Sequence, residues 1–348
     1  MDDGYFHRVA RDTPTRLWIN NPSSAEADLA LDAGAIACTT NPTYGAKLIQ
    51  AEPAYIQGII DGIVPNMNDD EAAADRVVQQ VSARLMARFL PLYEQSGGTQ
   101  GFVTIQSDPR KDEDARELID AALRYRALGP NFMAKIPVTA AGLEAIDALI
   151  AENIPICATE VFAVDQATAL CDLYQRASQR AGKRPPCFVT HITGIFDEYL
   201  GKQVEREGVA IAPASLAWAG STVGRKEYRL LKERGCHAAL LGGGARSTRH
   251  FTDFVGGDFH ITINWSTAQE LIEWDPPVVS RIDVETPPEI VAELTAALRD
   301  FRLANEEGAL PPVQFAEYGP VQFFRNNFIA GYERLLAEVA ARRRMPIP

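Results

Sequence analysis

Short apolar runs alternate with longer helix-like segments along this 348-residue chain, and this alternation most constrains its fold. Gly34, Gly129 and Gly182 close three of the helical patterns, as glycine does at helix C-caps. The alternation predicts a closed (β/α)₈ TIM-type barrel in one α/β domain, residues 1–348. A doubly wound sheet is less favoured, because no GxGxxG motif follows the first strand. The predicted strands are residues 15–20, 35–41, 101–107, 131–137, 154–160, 186–193, 237–243 and 259–265.

Two regions exceed a minimal barrel whose core spans about residues 15–275. Residues 48–98 contain two helical patterns after the second strand. A helical extension follows at about residues 287–343, and its last helix is amphipathic. That helix either packs against the barrel flank, covers an active site or forms a subunit interface. The sequence leaves these alternatives, and the oligomeric state, open.

Charge and cysteine content restrict the class of partner and the compartment. The formal net charge of −12 argues against non-specific binding of nucleic acid or of anionic membranes, but not against an anionic small molecule. No apolar run approaches the ~20 residues of a membrane span, and the amino-terminal segment is polar. The five cysteines include no CxxC pair and are typical of reduced structural thiols. The expected location is the cytoplasm.

Lys135 is the one lysine of seven that lies inside an apolar strand-like run, "NFMAKIP". Lysine is rarely buried without a partner or a task. If Lys135 faces the barrel interior, then Met133 does so too, while Phe132 and Ala134 face the helices. Burial without a counter-charge lowers the pKa of a lysine, and a neutral amine attacks carbonyl groups. The alternative is a packed stem whose ammonium reaches solvent.

Polar residues near the carboxyl ends of the other strands surround this lysine in the predicted barrel, where barrel active sites lie. None of them is a carboxylate, so no salt bridge to Lys135 is expected. They are Asn20, Asn41, Gln106, Thr159 and Thr190.

Four segments, in order and spacing, resemble the transaldolase family of class I aldolases, which includes transaldolases and fructose-6-phosphate aldolases. They are "CTTNPT" (38–43), "AKIPVTAAGLEAI" (134–146), "NIPICATEVFAVDQA" (153–167) and "GGGARS" (242–247). The resemblance covers roughly residues 15–275. It implies an α/β barrel and a metal-independent, cofactor-free enzyme that acts on a sugar or sugar phosphate.

The resemblance also implies residue roles. Lys135 would form the Schiff base, and Thr159 would hold the water that shuttles protons. Gln106 stands where transaldolases have glutamate and fructose-6-phosphate aldolases have glutamine, which favours simple aldol cleavage over transfer of a dihydroxyacetone-type unit. Asn41, beside Thr40, would contact donor hydroxyls, and Arg246 would bind phosphate.

Three positions depart from the family pattern. Asn20 replaces the strand-1 aspartate that accepts the hydroxyl proton, and an amide cannot accept it at neutral pH. Ile195 replaces a second phosphate-binding arginine, which leaves one of two such contacts missing. Thr190 stands where serine is common.

Four residues are candidates for the missing base: His191, Asp108, Glu160 and Asp197. Strand parity places His191 and Glu160 on the outer face of the barrel. Asp108 follows the third strand on a loop and is free to lean inward.

The "GGGARST" segment has two interpretations: an anion site leading into a helix at Ser247, or a tight strand-to-helix turn. His237, His250 and His260 have no metal-ligand spacing, and no metal site is predicted. The sequence thus predicts a class I enzyme that makes or breaks a carbon–carbon bond. Two alternatives remain: a Schiff-base isomerase or dehydratase, and a non-catalytic sugar-phosphate-binding protein.

Overall fold

Eight parallel strands form a closed barrel in sequential order in the computed structural model, which describes residues 4–345. The last strand pairs with the first, so the sheet has no edge. This confirms the predicted fold class, and each predicted strand is present, although β2 and β3 are shorter than expected. The strands are Arg16–Asn20 (β1), Cys38–Thr39 (β2), Val103–Ile105 (β3), Phe132–Pro137 (β4), Ile156–Val161 (β5), Cys187–Ile192 (β6), Ala239–Gly243 (β7) and Phe259–Ile263 (β8).

Helices surround the barrel and follow most of its strands. The helices of the amino-terminal half are Tyr5–Asp12 (α1), Ser24–Asp32 (α2), Tyr44–Ala51 (α3), Pro53–Ile63 (α4), Asp70–Gln95 (α5), Ala115–Arg126 (α6), Ala140–Ala151 (α7) and Val164–Ala181 (α8). Those of the carboxyl-terminal half are Thr193–Glu207 (α9), Pro213–Leu216 (α10), Ala219–Glu233 (α11), Arg249–Thr252 (α12), Trp265–Trp274 (α13), Pro288–Ala297 (α14), Arg299–Asn305 (α15) and Gly319–Arg343 (α16). None of the helices within residues 4–345 has the length and apolarity needed to cross a membrane.

Local sequence signals set several helix ends. Ser23 and Glu26 form a capping box at the start of α2. Gly182 ends α8 with φ +63°, and Gly34 follows α2 with φ +100°, so both have the left-handed backbone expected of a helix C-cap. Gly129 does not: α6 ends at Arg126, and Gly129 has no positive φ, so the predicted cap there is wrong.

The barrel interior and the layer between strands and helices form two separate apolar clusters. The interior cluster contains Trp18, Met133, Cys157, Phe188 and Leu241 among its buried members. Phe132 and Ala134, the neighbours of Met133 in β4, belong to the outer cluster. This confirms the predicted parity of β4, since alternate residues of a barrel strand face opposite sides. The side chain at 135 therefore starts on the inner side.

The carboxyl-terminal extension returns to the barrel mouth. Helix α16 contacts α3, α5 and α9, and it also contacts β5. Two glycines permit a close approach: a Cβ at Gly331 would lie 2.7 Å from Cγ2 of Thr43, and one at Gly45 would lie 2.9 Å from a methyl group of Leu335. The helix therefore lies across the carboxyl ends of the strands, where barrel active sites are found.

Candidate active site

Lys135 lies at the bottom of a polar cavity in the barrel mouth and is 5% exposed. Its ammonium nitrogen donates to the main-chain oxygen of Thr40 at 3.3 Å and lies 5.5 Å from the ring centroid of Phe328. Among residues 4–345, the lysines that form ion pairs are Lys47, Lys111 and Lys202, and Lys135 is not one of them. Burial lowers the pKa of Lys135, and the charges of Cys157 and of nearby carboxyl groups only partly oppose this effect.

The cavity has a volume of about 520 Å³ and is lined mainly by polar side chains. The predicted site residues that reach it are Asn20, Asn41, Lys135, Thr190 and Arg246. Residues from at least six strands or strand ends therefore converge on one space, as expected for a barrel active site. Three predicted residues, Thr40, Gln106 and Thr159, do not line the cavity.

Amides and hydroxyls hold the two asparagines in place. The Asn20 side chain donates to Oδ1 of Asn264 at 3.0 Å and accepts from Oγ1 of Thr39 at 2.9 Å. Oδ1 of Asn41 accepts from the main chain of Thr43 at 3.0 Å and from its hydroxyl at 2.6 Å. The Nδ2 group of Asn41 is thereby left as a hydrogen-bond donor to the cavity. The side-chain amide of Asn20 forms part of the cavity wall.

Thr40 contacts Lys135 through its carbonyl group, whereas its hydroxyl donates to the main-chain oxygen of Thr104 at 2.6 Å. The Thr40 side chain is thus hydrogen-bonded to β3 and does not line the cavity. Thr190 lines the cavity, and its hydroxyl lies 3.2 Å from Sγ of Cys157. All five cysteines are free thiols.

Arg246 reaches the cavity rim but is already paired. Its Nε donates to Glu198 at 2.8 Å, and Glu198 also lines the cavity. Ile195, at the position where a second arginine is missing, supplies an apolar patch on the same wall. The positive potential available to an anionic group is therefore lower than a free arginine would give.

The glycine-rich turn that leads to Arg246 is held by hydrogen bonds to other residues of the protein. The amide N–H of Arg246 donates to Nδ1 of His250 at 2.8 Å, and Nε2 of His250 lies 3.0 Å from Asp197. Helix α12 begins at Arg249, not at Ser247, and has only four residues. The turn interpretation of this segment accounts for these contacts, and no local pattern indicated the role of His250.

Three of the four candidate bases have structural partners outside the cavity. His191 is fully buried between Glu227 and the carbonyl group of Gly220, on the outer side of the barrel that parity predicts. Asp108 caps the turn that follows β3 and pairs with Arg110 at 2.6 Å. Asp197 accepts from the main chain of Gly220 at 2.7 Å and from His250.

Glu160 does not line the cavity either, but its predicted outward orientation is wrong. A β-bulge interrupts β5: Ala158 pairs with Val189 and Val161 with His191, so Thr159 and Glu160 together oppose the single residue Thr190. Glu160 has φ +62°, which is rare for a side chain of this size. Its carboxyl group accepts from Nε2 of Gln106, at the end of β3, at 3.3 Å.

The carboxyl groups of Glu160 and Asp112 lie close enough to Lys135 to act on its charge, which the sequence did not predict. Burial raises the pKa of Glu160 to about 7. Burial, and then the charge of Glu160, raise the pKa of Asp112 well above its ordinary value. Asp112 lies in a charged loop, "DPRKDED", where no pattern distinguishes it from its neighbours.

Helix α16 closes the site from above. Phe324, Asn327 and Phe328 line the cavity, and the rings of the two phenylalanines lie 4.2 Å apart. Of the three alternatives left open by the sequence, the structure shows two within one chain: α16 packs on the surrounding helices and also covers the active site. The apolar rings over Lys135 exclude water from it, which is the condition that lowers the pKa of an amine.

Comparison with known proteins places this geometry in a family. The model of the "Transaldolase/Fructose-6-phosphate aldolase" family matches residues 17–307. A protein named transaldolase from Thermobifida fusca (strain YX) is 28% identical over 257 residues, 68% of this chain and 69% of that protein. A transaldolase of Parafrankia sp. (strain EAN1pec) is 32% identical over 211 residues, 55% of this chain and 57% of that protein.

The chain therefore spans between about half and two thirds of the length of such relatives. Among solved structures, a 2,3-dimethylmalate lyase of the PEP mutase/isocitrate lyase superfamily aligns with 93% of this chain and 97% of its own chain, at 11% identity and a TM-score of 0.30. The family match extends over nearly all of the barrel, including the strand that carries Lys135, and ends before α16. The chain belongs to the transaldolase/fructose-6-phosphate aldolase family.

Proposed function

We propose that this chain is a class I enzyme that makes or breaks a carbon–carbon bond in a sugar or sugar phosphate through a Schiff base on Lys135. The observation that carries the proposal is the environment of Lys135. Its amine is buried, has a lowered pKa and, among residues 4–345, makes one hydrogen bond, at the base of a polar cavity. Such an amine is a nucleophile toward ketones and aldehydes.

The chemistry begins with attack of the neutral Lys135 amine on the donor ketone. Loss of water gives an iminium ion, which accepts electrons from the breaking carbon–carbon bond. The hydroxyl β to the imine must lose its proton in that step. Asn20 can orient this hydroxyl by hydrogen bonding but cannot accept the proton.

Cavity-lining groups suit a polyhydroxylated substrate. Asn41 offers an amide donor, and Thr190 and Ser266 offer hydroxyls. A phosphate at the rim would compete with Glu198 for Arg246. Both unphosphorylated and phosphorylated ketoses are therefore substrates to test. Five free cysteines agree with the reducing environment of the cytoplasm, which is the location we propose.

Borohydride trapping tests the function directly. The protein is incubated with dihydroxyacetone, fructose 6-phosphate or an unphosphorylated ketose, reduced, digested and analysed by mass spectrometry. We expect a stable adduct on the peptide that carries Lys135. Lys47, the other lysine at the cavity, pairs with Glu26 at 2.9 Å and serves as the internal control.

Lys135→Met should abolish trapping, since a thioether of similar size forms no imine. Absence of any adduct in the unaltered protein would refute the proposal and leave a sugar-phosphate-binding protein. Product analysis then separates cleavage from transfer. An isomerase or dehydratase is the second candidate, favoured by Asn20, because neither reaction needs a base for a β-hydroxyl. It predicts trapping with no aldehyde product.

A further inference from the structure

A chain of buried polar groups continues from Lys135 into the region between β3, β5 and α16. Glu160 accepts from Gln106 at 3.3 Å. Asp112, which follows the turn after β3, is fully buried, and Glu160 raises its pKa through its charge. The two carboxyl groups are thus electrostatic neighbours with the Gln106 amide beside them.

Several atoms of this chain lack a hydrogen-bond partner within residues 4–345. They are Oε1 of Gln106, both carboxyl oxygens of Asp112, Oγ1 of Thr159 and Oε2 of Glu160. Buried polar atoms are normally paired, and unpaired ones mark strain, a ligand or a water. The chain contains five such atoms, and two of its carboxyl groups, those of Glu160 and Asp112, act on the charge of Lys135, so the region is suited to water and to exchangeable protons.

Glu160 reaches this region through a strained backbone conformation. The bulge in β5 and the φ of +62° turn its side chain toward Lys135, against strand parity. A left-handed backbone at a residue without a local stabilising side chain costs of the order of 1–3 kcal/mol. Strain of this kind persists where the surrounding structure enforces it, and it clusters at functional sites.

The charges around Glu160 set its protonation. Lys135 on β4 and Arg325 on α16 both favour its carboxylate form. At Asp112, burial and then the charge of Glu160 raise the pKa, Arg325 opposes them, and Asp108 adds to the increase. Burial dominates over the favourable charges, so Glu160 is partly protonated near neutral pH. A group that is half protonated at the working pH is well suited to give and take protons.

We propose that Glu160 is the acid–base residue of imine formation at Lys135, with Gln106 as the amide that orients its carboxyl group and Asp112 as a second buried carboxyl group beside it. This inference rests on the proposed function. Gln106 occupies the strand position where transaldolases carry a glutamate, and Glu160 accepts a hydrogen bond from it. In this chain the carboxyl group next to Gln106 is supplied by β5.

The proton balance is as follows. The neutral amine of Lys135 adds to the ketone carbon, and the N–C bond forms as the carbonyl π bond opens. One proton passes from the nitrogen to the oxygen by way of the Glu160 carboxyl group and a water held at Thr159. Protonated Glu160 then gives its proton to the hydroxyl, the C–O bond breaks, and water leaves. The products are iminium, carboxylate and one water.

Quenched-flow trapping with dihydroxyacetone and borohydride measures this step. We expect Glu160→Gln to slow imine formation by about 100-fold or more, the contribution typical of general acid–base catalysis. The amount trapped after long incubation should be unchanged, because Lys135 is intact. In the unaltered protein the rate should decline as the pH rises through the pKa of Glu160, and the variant should lose this decline.

Two further variants distinguish a chemical role from a structural one. Asp112→Asn replaces the neighbouring buried carboxyl group, which burial and Glu160 hold protonated, so it should change the rate and the pH at which the rate declines much less than Glu160→Gln does. The double variant Gln106→Glu with Glu160→Gln returns a carboxyl group to β3 and should recover at least about tenfold of the lost rate. A merely structural role for Glu160 predicts neither result.

Failure of this proposal is separable from failure of the proposed function. If the unaltered protein is trapped on Lys135 and Glu160→Gln forms the imine within about threefold of its rate, with the same pH profile, the role of Glu160 is refuted and the Schiff base stands. If the unaltered protein forms no adduct with any ketose, both proposals are refuted.

Discussion

The buried carboxyl group of Glu160 gives the unfolding free energy a pH dependence that Glu160→Gln should remove. Burial raises the pKa of this group from 4.5 to about 7 in the folded chain. A group whose pKa is higher in the folded state stabilises the fold below its unfolded pKa, and this stabilisation is lost as the pH rises through the folded pKa. The unfolding free energy should therefore fall as the pH rises from about 4.5 to 7.

The magnitude follows from the two pKa values. Their difference of about 2.5 corresponds to about 3 kcal/mol over the full titration, and to about 2 kcal/mol between about pH 5.5 and pH 8.5. The amide does not titrate. The unfolding free energy of Glu160→Gln minus that of the unaltered protein should thus grow by about 2 kcal/mol over this range. Easier ionisation of Asp112 in the variant acts in the same direction.

Urea unfolding followed by circular dichroism measures this difference at several pH values above the sequence pI of about 5.0. Glu205→Gln, on the exposed side of α9, is the matched control for replacement of a glutamate by glutamine. A difference for Glu160→Gln that stays constant within about 0.5 kcal/mol, or that shrinks as the pH rises, would refute the assignment of a buried, proton-holding carboxyl group.

Two other predictions concern the cavity rim and the covering helix. Glu198→Gln removes the ion pair with Arg246, so the KM for phosphorylated ketoses should fall by up to about tenfold relative to the KM for unphosphorylated ones. An unchanged ratio of the two KM values would show that Arg246 does not bind phosphate. Gly331→Ala places a Cβ 2.7 Å from the Thr43 side chain and should lower the unfolding free energy by about 1–3 kcal/mol, whereas Gly58→Ala, with open space around it, should be neutral or stabilising by up to about 1 kcal/mol. Equal urea midpoints for the two alanine variants would contradict the close packing of α16.

The order of elements and the inward orientation of Lys135 could both be predicted from local patterns. Eight apolar runs alternate with helical segments, and only a barrel or a doubly wound sheet buries such strands on both faces. Within β4, alternation placed Lys135 with Met133 on the inner side, and the structure confirms this. The motif around Lys135 then identified the family, which the family match confirms.

Local patterns failed where one inserted residue changes the register. Parity counts residues along a regular strand, and the bulge in β5 breaks that count after Ala158. Glu160 therefore faces Gln106 across the end of β4, although alternation sends it outward. Whether a strand contains a bulge depends on its pairing with the neighbouring strand, which is a property of two segments far apart in the chain.

The sequence by itself determined the βα succession, the strand that carries the lysine and the polar residues at the strand ends, because backbone periodicity and side-chain polarity act within a few residues. Only the tertiary structure decided which carboxyl groups act on the charge of Lys135 and that Glu198 forms an ion pair with Arg246. It also decided that α16 lies over the barrel mouth, with Phe328 near the lysine. These features depend on distances between residues that are remote in the chain. Charges and burial act through space, so their effect on the amine appears only when the barrel has closed.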